Sequence, residues 1–112
     1  MLKLFLLKMR QQIELEKINL IPREKNKELL EKLGWTPERM FQFLYEELNI
    51  DDYYRGPTGE IDSKFPDGTV YEFLKKIIEE ELEYEIYIKM KIMYIDNSEE
   101  ICIVLSFHEA ER

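Results

Sequence analysis

The first half of the chain carries its apolar residues at helical spacing. Leu2, Phe5, Leu6, Met9 and Ile13 recur at three- and four-residue steps. That spacing sets them on one stripe of a helix predicted to end near Asn19, with the stripe turned to the core. Pro22 suits the start of a second helix, and charged and leucine positions alternate at helical spacing from Glu24 to Leu33. Gly34 then supplies a left-handed stop. Thr36 and Pro37 read as a cap and first-turn pair, opening a third helix through Met40, Phe41, Leu44 and Leu48.

The period changes in the second half. From Asn49 to Gly68 the chain has Gly56, Pro57, Gly59, Pro66 and Gly68 and few apolar residues, which predicts an irregular, turn-rich segment. Thr69 to Ile78 fits two patterns: Val70, Tyr71 and Phe73 favour a strand, whereas Leu74 to Glu80 suits a helix. From Ile86 to Tyr94 the even positions are apolar, while Tyr87, Lys89 and Lys91 take the other face, as in a half-buried strand. A turn over Asp96, Asn97, Ser98 and Glu99 leads to a second strand with Ile101, Ile103, Leu105 and Phe107 on one face.

Burial sets the register expected of this hairpin. A turn centred between Asn97 and Ser98 pairs residues whose numbers sum to 195, so that both apolar rows share a face. Tyr94 then opposes Ile101, Ile92 opposes Ile103, Met90 opposes Leu105 and Ile88 opposes Phe107. On the other face Tyr87 stands across from His108, the only histidine, with Lys89 beside them. Directly opposed side chains start about 5 Å apart at Cβ.

The 112 residues, 45% of them apolar, suffice for one core and predict a single domain over 1–112. With 24 acidic and 16 basic residues, the net charge of −8 argues against a generic nucleic-acid binder, so an RNA site here must be local. Lys89 and Lys91 cluster in the strand, whereas Glu79, Glu80, Glu81, Glu83 and Glu85 form an acidic run before it. The single cysteine, Cys102, lies in an apolar run, which excludes a disulfide framework and a cysteine-rich zinc site and fits a reduced, cytoplasmic setting. Met1 to Met9 is broken by Lys3 and Lys8 and precedes no small-residue cleavage site, so neither secretion nor a membrane span is expected. The chain has no glycine-rich phosphate loop, no paired histidines and no EF-hand spacing; neither metal nor cofactor is expected.

Three blocks hold the residues fit for phosphate chemistry: Asp52-Tyr53-Tyr54-Arg55-Gly56-Pro57, Glu85-Ile86-Tyr87-Ile88-Lys89-Met90-Lys91-Ile92 and Leu105-Ser106-Phe107-His108-Glu109-Ala110-Glu111. Together with Ile21-Pro22-Arg23-Glu24-Lys25-Asn26 and Leu30-Glu31-Lys32-Leu33-Gly34, they resemble the motility quorum-sensing regulator (MqsR) family of bacterial toxins, from about Ile21 to Glu111. The resemblance implies an α+β domain with N-terminal helices packed on a small, mainly antiparallel sheet, similar to RelE-type ribonucleases. It also implies metal-independent cleavage of single-stranded mRNA and neutralisation by a cognate antitoxin. The family's basic loop residue falls on Arg55, its polar strand residue on Glu72, its strand tyrosine on Tyr87 and its basic residue late in the domain on His108. Better-known members have an amide where Glu72 stands and a lysine where His108 stands. Small members tend to have a Phe-Gly pair and a short hairpin, whereas Phe73 here precedes Leu74 and the acidic stretch Glu79 to Glu83 is expected to lengthen the connection. The resemblance also selects a strand for Val70 to Lys76.

Metal-free RNA cleavage needs a base for the 2′-hydroxyl proton, an acid for the departing 5′ oxygen and cations for the charged phosphorane. His108 suits the acid or the base, because histidine titrates near neutrality. Arg55 offers a bidentate phosphate grip, Lys89 a point charge, Glu72 a carboxylate base, and Tyr87 a group that orients phosphate or histidine. Tyr54, with Tyr53, Tyr71 and Phe65, is a candidate for stacking on unpaired bases. Each has a plainer use. His108 can cap a strand end, Tyr87 can shield the sheet, Lys89 and Glu72 can solvate a face, Arg55 can pair with a nearby carboxylate, and Cys102 can pack. Two functions follow: a toxin endoribonuclease bound by an antitoxin, or a non-catalytic interaction domain that keeps the fold.

Overall fold

Helix stop signals decide where the first layer of this protein breaks. The computed structural model describes residues 1–58, 69–96 and 98–111. Helix α2 (Glu24–Leu33) ends as expected at Gly34, whose φ of 70° lets the amides of Gly34 and Trp35 turn back to the carbonyls of Glu31 and Leu30. Helix α3 (Pro37–Glu47) starts on Thr36, whose Oγ1 accepts from the Arg39 amide at 3.1 Å. Helix α1 spans Leu2–Glu14 and buries Phe5, Leu6, Met9 and Gln12. Its end differs from expectation: it stops at Glu14 rather than near Asn19. Glu16 adopts φ 60° and closes the same Schellman pattern that Gly34 closes in α2, with Lys17 N–H donating to the Gln12 carbonyl and Glu16 N–H to that of Ile13. The freed residues form strand β1 (Ile18–Leu20), which runs parallel to a distant partner.

Four further strands follow: β2 (Tyr53–Thr58), β3 (Thr69–Glu79), β4 (Leu82–Tyr94) and β5 (Glu100–Glu109). The sheet order is β1-β5-β4-β3-β2, and every pair except β1–β5 is antiparallel. The fold is therefore α+β, with N-terminal helices on one face of a mostly antiparallel sheet. No helix among the described residues is long and apolar enough to cross a membrane.

Strand β2 corrects, over Tyr53–Thr58, the expectation of an irregular segment from Asn49 to Gly68; residues 59–68 lie outside the described residues. Asn49 and Asp52 cap a short 3-10 turn over Ile50–Asp52, and Tyr53–Thr58 then lies along the outer edge of β3. An edge strand tolerates Pro57 because the missing N–H can face away from the ladder. Gly56 is required by close approach, since a Cβ there would sit 2.7 Å from the Val70 carbonyl oxygen. Phe65 and Asn97 lie outside the described residues.

The β3–β4 connection is also shorter than expected. Glu80 and Glu81 alone make the turn, at φ 50° and 67°. Both central residues of a two-residue hairpin loop take positive φ in a type I′ turn. The acidic run extends two paired strands instead of inserting a loop.

The β4–β5 register agrees with expectation over half its length. Ile86 to Lys89 pair with Glu109 to Ser106, including Tyr87 with His108 and Ile88 with Phe107. Between Lys89 and Met90 the pairing shifts by one: Met90 opposes Val104, Ile92 opposes Cys102 and Tyr94 opposes Glu100, in place of Leu105, Ile103 and Ile101. The extra residue, Leu105, is a bulge, and it moves Cys102 and Val104 to the helix side with Phe107. Ile103 moves to the opposite face, across from Lys91. Asn26, fully buried on α2, holds β5 at this point: its Nδ2 donates to the Ile21 and Leu105 carbonyls and its Oδ1 accepts from the Phe107 amide.

The core fills the space between the helices and one sheet face. It is built from Phe5, Met9, Leu29, Met40 and Leu44 above, and Phe73, Ile88, Met90, Val104 and Phe107 below. Cys102 sits in this core, and burial pushes its thiol up to about 12.

Candidate functional site

The sheet face away from the main core carries a polar row that crosses four strands. Arg55 opposes Glu72, Glu72 opposes Lys89, and Lys89 opposes Ser106. A second row places Leu74, Tyr87 and His108 side by side. Residues directly opposed on antiparallel strands share a face, so the ladder alone brings Arg55, Glu72, Tyr87 and His108 together.

Their side chains form a continuous chain of contacts. Arg55 Nε donates to Glu72 Oε2 at 2.9 Å, and the Tyr87 hydroxyl donates to Glu72 Oε1. The Tyr87 and His108 rings lie 5.3 Å apart between centroids, tilted by 40°. Arg55 also lies over the Tyr54 ring, with Cζ 5.0 Å from its centroid. Glu72 is only 6% exposed, whereas the Arg55 side chain is 61% exposed, so a buried carboxylate holds an outward-facing guanidinium. The hydrogen bond and charge of Glu72 raise the Arg55 pKa. Burial first, then the hydrogen bond to Glu72, drive the Tyr87 phenol far above its ordinary value, so Tyr87 stays a neutral donor.

His108 Nδ1 lies 2.8 Å from the Glu109 carbonyl oxygen. A carbonyl only accepts, so Nδ1 carries the hydrogen and Nε2 is the atom left for proton exchange. Tyr54, Arg55, Leu74, Tyr87, His108, Ala110 and Glu111 line an open groove of about 570 Å³. Glu72, the buried member of the set, accepts from Arg55 at Oε2 and from Tyr87 at Oε1. Lys89 stands half-buried between Glu72 and Ser106 in the polar row. The plainer use of Arg55, an ion pair with a carboxylate, is thus realised together with its exposure to the groove.

The aromatic candidates separate. Tyr54 is 47% exposed and lines the groove. Tyr71 is 2% exposed on the helix side, its ring 4.6 Å from that of Phe5, and is closed to a nucleobase. Tyr53 is 43% exposed, but its hydroxyl donates to the Gly56 carbonyl and steadies β2.

Two supports of the site escaped sequence reasoning. Lys75 Nζ pairs with Asp52 Oδ2 at 3.0 Å, both side chains largely buried, and ties the start of β2 to β3. Asn26 secures β5 at Leu105 and Phe107, just before His108. Its signal was a polar residue on the stripe that also carries Leu29, Leu30 and Leu33. Among the described residues no group of three or more His, Cys, Asp or Glu side chains is placed to hold a metal ion. Comparison with family models, curated proteins and solved structures gives no match.

Proposed function

We propose that this protein is a metal-independent endoribonuclease of the MqsR type, the toxin of a toxin–antitoxin pair, cutting single-stranded mRNA in the cytoplasm. The observation that carries the reading is the contact chain Arg55–Glu72–Tyr87–His108 along one exposed groove. Arg55 grips the scissile phosphate and stabilises the charge that develops on it. Tyr87 accepts the 2′-hydroxyl proton as it passes its own proton to Glu72, and the 2′ oxygen attacks phosphorus. His108, as the imidazolium, gives the Nε2 proton to the departing 5′ oxygen. The Glu109 carbonyl, accepting from Nδ1, fixes the ring so that Nε2 is the atom presented. The products are a 2′,3′-cyclic phosphate and a 5′-hydroxyl end. Tyr54 offers a stacking surface beside Arg55, and Lys89 adds positive charge to the row. A cognate antitoxin that covers the groove would silence the activity.

The test is cleavage of a long, mostly single-stranded RNA by purified protein in excess EDTA, with end mapping. Discrete cuts with 5′-hydroxyl ends are expected, reduced at least about tenfold in His108→Ala and in Arg55→Ala, since acid–base and electrostatic groups each contribute about a hundredfold or more. Full activity in both variants would remove this site assignment. No cleavage by the folded native protein, with or without ribosomes, would favour a non-catalytic interaction domain.

A further inference from the structure

The groove does not stop at His108. His108, Ala110 and Glu111 also line a second concavity of about 250 Å³, whose other wall is α2. That wall presents Lys25 and Lys32, seven residues apart and therefore on one helix face, about 10 Å apart along the axis. Each lysine is held by a carboxylate at the end of β5: Lys25 by Glu111, and Lys32 by Glu109 at 3.0 Å. The four side chains are 45–65% exposed, so both pairs sit in water, where such contacts contribute little and exchange readily. A lysine ammonium is a point charge that accepts phosphate oxygens from many directions, which suits a backbone contact rather than base reading. Glu28, between them in sequence, also lines this concavity.

We propose that Lys25 and Lys32 form a second subsite for the phosphodiester backbone of single-stranded RNA, occupied in the free protein by Glu109 and Glu111 as internal stand-ins for phosphate. The proposal rests on the ribonuclease reading and extends it by one direction of strand travel. A strand gripped at Arg55 crosses His108 and continues onto α2, exchanging two carboxylates for two phosphates. The subsite acts on longer strands only, because a short one is exhausted at the Arg55 end.

The experiment measures binding by fluorescence anisotropy, using labelled oligonucleotides of about 4 and about 12 nucleotides whose sugars lack the 2′-hydroxyl. Salt is varied from about 50 to about 200 mM. In Lys25→Ala/Lys32→Ala the long oligonucleotide should bind about tenfold more weakly, with a salt slope shallower by about 1.4, the value for two lost phosphate contacts. The short one should bind as to the native protein. Glu109→Gln/Glu111→Gln should tighten the long oligonucleotide about threefold, since two competing anions are removed. Native affinity and slope in the lysine variant overturn the subsite, and if Arg55→Ala still weakens both oligonucleotides, the ribonuclease reading stands without it. Failure of the native protein to bind either oligonucleotide overturns both.

Discussion

Phe107 and His108 are neighbours on β5, yet they face opposite sides of the sheet, and the two sides obey different rules. Toward the helices, Phe107 meets Trp35 and Phe43 with ring centroids 6.3 and 6.1 Å away, in a cluster that excludes water. Toward the groove, His108 meets one tyrosine and a backbone carbonyl. The first side gains from area removed from water and close packing; the second gains little stability and depends on which residue stands across the ladder. The lesson is that one strand can carry fold and chemistry on alternate residues without either constraining the other's composition.

The largest effect that tests this contrast is on the helix side. Phe107→Ala should cost about 3–5 kcal/mol in urea unfolding, whereas His108→Ala should stay within about 0.5 kcal/mol of the native protein. Equal losses would break the comparison. Gly56→Ala probes the edge where the two sides meet: the added Cβ collides with the Val70 carbonyl at a φ of 118°, so a loss of about 1–3 kcal/mol is expected. Because Arg55 precedes the glycine, the proposed RNA cleavage should fall with it, and faster hydrogen exchange confined to β2 would locate the damage. Unchanged exchange and stability would show that β2 does not need the close approach.

The smallest effect concerns Tyr87. Its folded pKa is raised above the ordinary 10.0, so as pH climbs the unfolded chain loses the proton first. Its contribution is therefore whole below about pH 10 and is lost as pH rises toward the folded value. Tyr45 and Tyr71 are shifted the same way. Tyr87→Phe should remove part of the alkaline fall in stability, while losing about 0.5–1.5 kcal/mol near neutrality with one hydrogen bond. A urea midpoint followed from about pH 8 to about pH 11 checks both limbs. Parallel curves for variant and native protein would assign the alkaline loss to the other raised groups, Cys102, Tyr45 and Tyr71 among them.

What could be read in advance divides along the same physical line. The bounds of α2 and α3 were legible because Gly34 and the Thr36–Pro37 pair carry their stop and start signals locally. The end of α1 was not, because a glutamate took the left-handed position and the strand after it exists only by pairing with residues more than eighty positions away, as Ile18 does with Cys102. Strand β2 was hidden for a related reason: Gly56 and Pro57 mark turns locally, but an edge strand accepts both. The Tyr87–His108 pairing followed from alternation, yet the same argument failed beyond Lys89, where a bulge at Leu105 has no local sign. Arg55 and Glu72 reached the site through family resemblance alone; their ion pair crosses two strands that composition does not join.

The Glu80–Glu81 turn leaves the far end of the β3–β4 ribbon open to evolutionary drift. Residues can be gained or lost there in matched numbers, one from each strand, while Glu72 stays opposite Lys89 and Leu74 opposite Tyr87. The exposed Ile78 and Leu82 near the tip make that end a place to acquire new surface chemistry. Variation in hairpin length between descendants of this chain would then record selection on what the tip meets, with the polar row inherited unchanged.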